Sequence, residues 1–344
     1  MFQSAPCNRA VNAGAELCYH CAAPVCATPW RTPVIERATC LVATLAAAAF
    51  LAAAAPAAAE DTTACVAGGD AWRADKLQES IDNFTICIDQ GNLEPETMAS
   101  ALASRGNVLR VSGAIAHSVS DFNKALAIDP NHAGALFGRA NAWFDMRDLT
   151  QSMADFDRVI AVQPDLPQAY FGRGNVKSAK EDFAGAIVDY DQALVLEPGD
   201  PFALTNRGWA KLSEGDYAGA QADFDAAIVI KPNHVLAFVD RAWVRYLQGD
   251  PEGGLADAEH ALTLAPNRVA THATKGQLLA ALGRKDEALA AFERAMTLGG
   301  TEIVTTYQLR LAAQGFDPGA ADGGYGARTR EALIACIAAA CRLL

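Results

Sequence analysis

Arginine and aspartate recur in this sequence at fixed distances. Arg105, Arg139, Arg173, Arg207 and Arg241 stand 34 residues apart, and Lys275 continues the series. Each arginine is followed 16 residues later by an aspartate, namely Asp121, Asp155, Asp189, Asp223 and Asp257, with Ala291 in the sixth place. Five guanidiniums in register could form a ladder for an anionic ligand, because each offers a planar fork of donors that fits a carboxylate or phosphate. The alternative is an Arg–Asp pair, within one repeat or reaching to the next, that sets the register of packing. The joint occurrence favours the pair, since a ladder facing a ligand needs no partners.

No other arrangement suggests chemistry. The histidines are His20, His117, His132, His234, His260 and His272, and none stands in a His-x-x-x-His pair. A serine elbow and a phosphate-binding loop are both missing. Cys18-x-x-Cys21 with Cys26 and His20 is half a zinc motif with no second pair, so no metal site is expected. The expectation is a protein that is not an enzyme and takes no cofactor. Its net charge of −12 repels phosphate backbones, which argues against nucleic acid as a partner.

The elements that position these residues follow from proline. Pro130, Pro164, Pro198, Pro232 and Pro266 are also spaced by 34. Counting each as position 32 starts units at Ala99, Ala133, Pro167, Pro201, Val235 and Val269. Small residues then fall at positions 8, 20 and 27, and position 24 is Phe122, Phe156, Tyr190, Phe224, Ala258 and Phe292. Two antiparallel helices approach closely where small side chains face each other, the aromatic fills the space between them, and proline ends the second helix. Each unit leaves an apolar face that only a neighbour can cover. This pattern resembles the tetratricopeptide repeat, over residues 99–302. The resemblance implies an all-α superhelical solenoid that binds proteins.

In such arrays positions 2, 5, 9 and 12 line the concave face. Here they supply Asn107, Asn141, Asn175, Trp209 and Trp243 at position 9, with Phe137, Phe171, Phe144 and Tyr246 at positions 5 and 12. An asparagine row can hydrogen-bond an extended backbone, and aromatics can take its side chains. The Lys/Arg clamp with which some family members hold a terminal carboxylate is absent, because positions 2 and 5 are residues such as Ser100, Ala103, Gln168 and Thr205.

The flanks read differently. Residues 1–59 hold a leader and a secretory signal: Arg37, an alanine-rich apolar run, Pro56, then Ala57-Ala58-Ala59. Cleavage near Ala59 would place the protein in the periplasm with no membrane span left and with Cys65, Cys87, Cys336 and Cys341, expected as two local disulfides. Residues 60–98 are read as an amino-terminal capping region, in which 74–97 resembles the second helix of a further unit tied down through Cys65–Cys87. In 303–344, Gly315, Phe316, Asp322, Gly323, Gly326 and Thr329 are similar to the peptidoglycan-binding-like domain of bacterial wall proteins, which implies a small helical hairpin and wall attachment. Asp322 is expected to cap the turn and Thr329 the helix. The sequence thus predicts a periplasmic scaffold that holds a protein or peptide in its groove, or alternatively a peptidoglycan-binding protein whose repeats are a spacer.

Overall fold

The computed structural model describes residues 62–90 and 92–343. The segments read as a leader and an export signal, and the Cys18–Cys26 cluster, lie outside them. The described residues fold as fifteen helices without strands, in two compact units, 62–198 and 199–343.

The first unit holds α1 (Thr63–Arg73), α2 (Leu77–Asp89), α3 (Pro95–Val111), α4 (Ile115–Ile128), α5 (Ala133–Asp145), α6 (Leu149–Val162), α7 (Pro167–Ala179) and α8 (Phe183–Leu196). The second holds α9 (Pro201–Ser213), α10 (Tyr217–Ile230), α11 (Val235–Leu247), α12 (Pro251–Leu264), α13 (Val269–Ala281), α14 (Lys285–Ala313) and α15 (Ala327–Ala338). Consecutive helices pair across a two-residue device. Position 15 takes a left-handed backbone, as at Gly215 (φ 83°) and Gly249 (φ 86°), and even at Arg147 and Glu181 (both φ 64°). In the second to fifth units position 16 is then an aspartate whose carboxylate caps the next helix: Asp148 accepts from the Gln151 amide at 3.1 Å, and Asp182, Asp216 and Asp250 from Gly185, Gly219 and Gly253.

Pairs close where the position-24 ring lies on the position-8 glycine. A Cβ on Gly106 would stand 2.8 Å from the Phe122 ring, on Gly174 2.7 Å from Tyr190, and on Gly208 2.8 Å from Phe224. Each ring is essentially unexposed, which contributes about 1.5–3 kcal/mol per side chain. The same contact joins Gly68 to Phe84 (2.9 Å). The amino-terminal region is therefore a complete helix pair: α2 is the second helix of a further unit, as expected, and α1 is its first, which the repeat pattern had not located. Cys65–Cys87 joins its two helices with Cα atoms 5.3 Å apart, inside the ordinary disulfide range. The helix expected to start at Ala99 begins at Pro95.

Where the sixth proline should stand, Gly300 adopts φ 65°, ψ −157° and breaks α14 in two. Residues beyond it pair with α15 as the expected hairpin. Gly315 (φ 86°) stops the helix by a Schellman turn, its amide bonding Ala312 and that of Phe316 bonding Leu311. The loop to α15 is built around Gln308, a side chain 1% exposed. Its Nε2 donates to Asp322, Thr329 and the Gly324 carbonyl at 3.1–3.2 Å, and its Oε1 accepts from the Gly323 amide at 3.0 Å. Asp322 caps the turn through the Gly324 amide, 2.8 Å. Thr329 does not cap the helix as expected: Gly326 holds that position, and the buried Thr329 hydroxyl donates to the Pro318 carbonyl, 3.0 Å. Cys336–Cys341 pins the chain that follows (Cα–Cα 5.1 Å).

Candidate functional site

Every arginine of the ladder is engaged. Arg105, Arg139, Arg173, Arg207 and Arg241 each grip the aspartate 16 residues on through Nε and Nη2, at 2.5–2.9 Å. The aspartate side chains are 2–6% exposed and the arginines 14–21%. Asp121 and Asp189 hold the guanidiniums of Arg105 and Arg173 above their ordinary pKa by those hydrogen bonds. Nη1 reaches back to the preceding pair in Arg139 (to Asn123, 2.6 Å), Arg173 (to Asp157, 2.8 Å) and Arg241 (to Asp225, 2.6 Å), and Lys275 Nζ donates in the same way to Glu259 (2.8 Å). These groups tie successive pairs together and leave no cationic ladder for an anion.

Sequence reasoning missed a second cation. At position 11, Lys177, Lys211 and Arg245 each sit 2.8 Å from the same carboxylates, Asp189, Asp223 and Asp257. The first two units have Leu109 and Trp143 there, so Asp155 is held by Arg139 alone. The signal was a column of cations, visible once position 11 is counted.

In residues 62–198 the predicted groove residues are half-buried and partly spent on one another. Asn141 donates to the Phe137 carbonyl (2.8 Å), and Asn175 accepts from the Tyr190 hydroxyl (2.8 Å). Phe137 packs edge-on to Phe156 at 5.8 Å, and Phe171 packs on Tyr190 at 5.9 Å. Phe144 rests on the cluster of Ala140, Phe156 and Val176. Asn107 is also half-buried, its Oδ1 close above Gly138.

In residues 199–343 the arrangement differs. Trp209 borders a cleft of about 180 Å³ with Leu212, Ser213, Tyr217, Trp243, Leu247 and Arg342. Trp243, predicted as a groove aromatic, is 4% exposed, with Tyr246 stacked at 5.1 Å and the Arg342 guanidinium 4.9 Å above its ring. It is covered by the chain's own residues 341–343. Gln277, next in the same column, is buried and bonds that segment. This contact spans more than sixty residues and left no trace in the repeat pattern.

Two buried titratable groups belong to α11, His234 at its N-cap and Asp240 within it. Burial pushes the His234 imidazole down to about 4, with Lys231 adding to the effect. Burial likewise lifts the Asp240 carboxyl to about 7, against the pull of Arg268. His132 caps α5, its Nδ1 accepting from the Ala135 amide at 3.1 Å. Among the described residues no group of histidine, cysteine and carboxylate side chains could hold a metal ion, and no helix is long and apolar enough to cross a membrane.

Residues 137–203 and 205–269 match one tetratricopeptide-repeat family profile, and residues 269–298 match another. No curated protein matches the chain. Among solved structures, a tetratricopeptide repeat protein from Parabacteroides merdae is 17% identical, with 70% of this chain and 93% of that chain covered and a TM-score of 0.57. PilW, a type IV pilus biogenesis factor, is 16% identical over 56% of this chain and 90% of its own, with a TM-score of 0.53. The APC/C hetero-tetramer Cut9–Hcn1 is 14% identical over 65% and 45%, with a TM-score of 0.56. At these identities the likeness is one of fold.

Proposed function

Tetratricopeptide repeats run through residues 137–298, and from that premise we propose that this chain is an exported, non-enzymatic scaffold that holds a protein or peptide partner on the face of its first helices. The observation that carries the proposal is the cleft of about 180 Å³ beside Trp209, edged by aromatic and aliphatic side chains and by one cation. Such a lining suits the side chains of a polypeptide better than a small anion. The arginines, the obvious anion ligands, are already paired. Export to the periplasm is supported by the sequence of residues 38–59 and by the two cysteine pairs, which need an oxidising compartment.

The wall-binding alternative draws less support. Of the residues that suggested it, Asp322, Gly323 and Thr329 are engaged with Gln308, and Gly315 ends a helix. They hold a loop closed, which explains their spacing without a glycan.

The test is partner recovery after crosslinking in cells, comparing the natural chain with Trp209→Ala. Trp209 is half-buried and can be truncated without opening the core, whereas Trp243 cannot. Loss of a specific crosslinked partner is expected. Unchanged recovery, or recovery of purified peptidoglycan instead, would refute it. Alkaline phosphatase fused after residue 62 reports export by its activity.

A further inference from the structure

Residues Cys341, Arg342 and Leu343 leave the last helix and run as irregular chain over the face that carries Trp243 and Gln277. All three of their carbonyls are taken by side chains. Gln277 Nε2 donates to that of Cys341 (3.2 Å), Gln314 Nε2 to that of Arg342 (2.5 Å), and Arg310 Nη1 to that of Leu343 (2.5 Å). Gln277 Oε1 also accepts from the Leu343 amide at 2.9 Å, so one carboxamide grips a donor and an acceptor of the same backbone. That is what a neighbouring strand would do for an extended peptide. The side chains are sorted as well. Leu343 is 1% exposed within the core cluster, and Arg342 lies on the Trp243 ring at the edge of the open cleft.

We infer that this face is a recognition site for an extended peptide carrying a cation followed by an aliphatic residue, and that Cys341–Leu343 fills it in cis. A partner segment of the same chemistry displaces the residues beyond the Cys336–Cys341 bridge, Arg342 and Leu343, and extends into the cleft beside Trp209. The occupant seen on the site defines the ligand class: backbone hydrogen bonds to Gln277, Gln314 and Arg310 are indifferent to sequence, whereas the indole face and the buried leucine position are not. The net charge of −12 attracts a basic segment. This inference rests on the protein-binding reading above and names the ligand and its competitor.

A fluorescent peptide, Ala-Ala-Ser-Arg-Leu-Leu, is titrated against the full chain and its variants. Leu343→Asp drives a charge out of a buried position and frees the site; at least about a tenfold gain in affinity over the natural chain is expected, because a site filled in cis is available only in proportion to its open fraction. Arg342→Glu, at an exposed position, removes the stack on Trp243 and is expected to act in the same direction. In either background Gln277→Glu, which keeps the acceptor and loses the donor, abolishes the gain, and a peptide with glutamate for arginine does not bind. No gain in Arg342→Glu, or binding indifferent to Gln277 and to peptide charge, overturns the inference. If partner crosslinking persists in that case, scaffold function stands and the self-occupied site alone fails.

Discussion

Arg139→Ala and Arg173→Ala remove the same side chain from adjacent repeats, yet the two should differ widely in cost. Asp155 is 5% exposed and receives both of its ion-pair hydrogen bonds, each 2.7 Å, from Arg139. Truncating Arg139 leaves that carboxylate buried without a counter-charge, for which about 3–5 kcal/mol is expected. Asp189 is equally buried, but Lys177 Nζ lies 2.8 Å away and stays behind when Arg173 is truncated. The cost there falls to the loss of charged hydrogen bonds, about 1.5–3 kcal/mol. The second ion pair of Arg173, to Asp157, is 54% exposed on the acid side and adds about 0–1 kcal/mol at most. A gap of about 2 kcal/mol should therefore separate the variants. Urea unfolding followed by far-UV circular dichroism measures it, and Lys177→Met combined with Arg173→Ala should restore the full penalty. Equal costs for the two single variants, or less than about 1 kcal/mol for Arg139→Ala, would show that these carboxylates do not depend on their cations for compensation.

Further expectations concern pH, the disulfide and the loop. Asp240, raised to about 7, favours folding fully below its unfolded value near 3.8 and loses that contribution as pH rises through 7; Asp240→Asn should therefore gain up to about 4 kcal/mol at high pH and nothing at pH 4. His234, depressed to about 4, acts oppositely, its contribution being present above 6.5 and lost as pH falls through about 4, worth about 3 kcal/mol. The two offset each other in the natural chain, so the Asp240→Asn variant should be the more acid-sensitive in urea titrations between those limits; parallel curves would refute the pairing. Cys65→Ser should destabilise α1–α2 by about 3 kcal/mol for a separation of 22 residues, read as faster amide exchange in residues 63–89. Gln308→Leu should cost about 2–4 kcal/mol by orphaning its partners, and should render the loop 314–326 sensitive to protease; a resistant loop would refute the hub assignment.

Much of the fold was legible because the repeat imposes itself locally. A proline recurs every 34 residues, and a small residue at position 8 and, in all units but one, a ring at position 24 meet in one contact, so counting residues was enough to find them. The Arg–Asp pairing was legible for the same reason, since both partners belong to one unit. What stayed hidden depended on contacts outside the period. Helix α1 lacks the proline landmark and contains Gly68 and Gly69 among alanines, so its pairing with Phe84 shows only in three dimensions. Trp243 stands in the column of binding positions, and nothing local says that Arg342, about a hundred residues on, will cover it. Thr329 was misassigned because a threonine near a helix start reads as a cap, whereas the Pro318 carbonyl claims its hydroxyl.

The way the arginines bond also bears on how such a chain can change length. Each interval brings its own deeply buried acid and the base that neutralises it, while the link to the previous interval ends on a group at the rim, an exposed Asn123 or a half-exposed Asp157 or Asp225. Duplicating or excising one whole interval therefore strands no interior charge. An excision that removes one partner and keeps the other leaves an interior charge uncompensated, so gain or loss of whole 34-residue intervals is tolerated where a cut between arginine and aspartate is not.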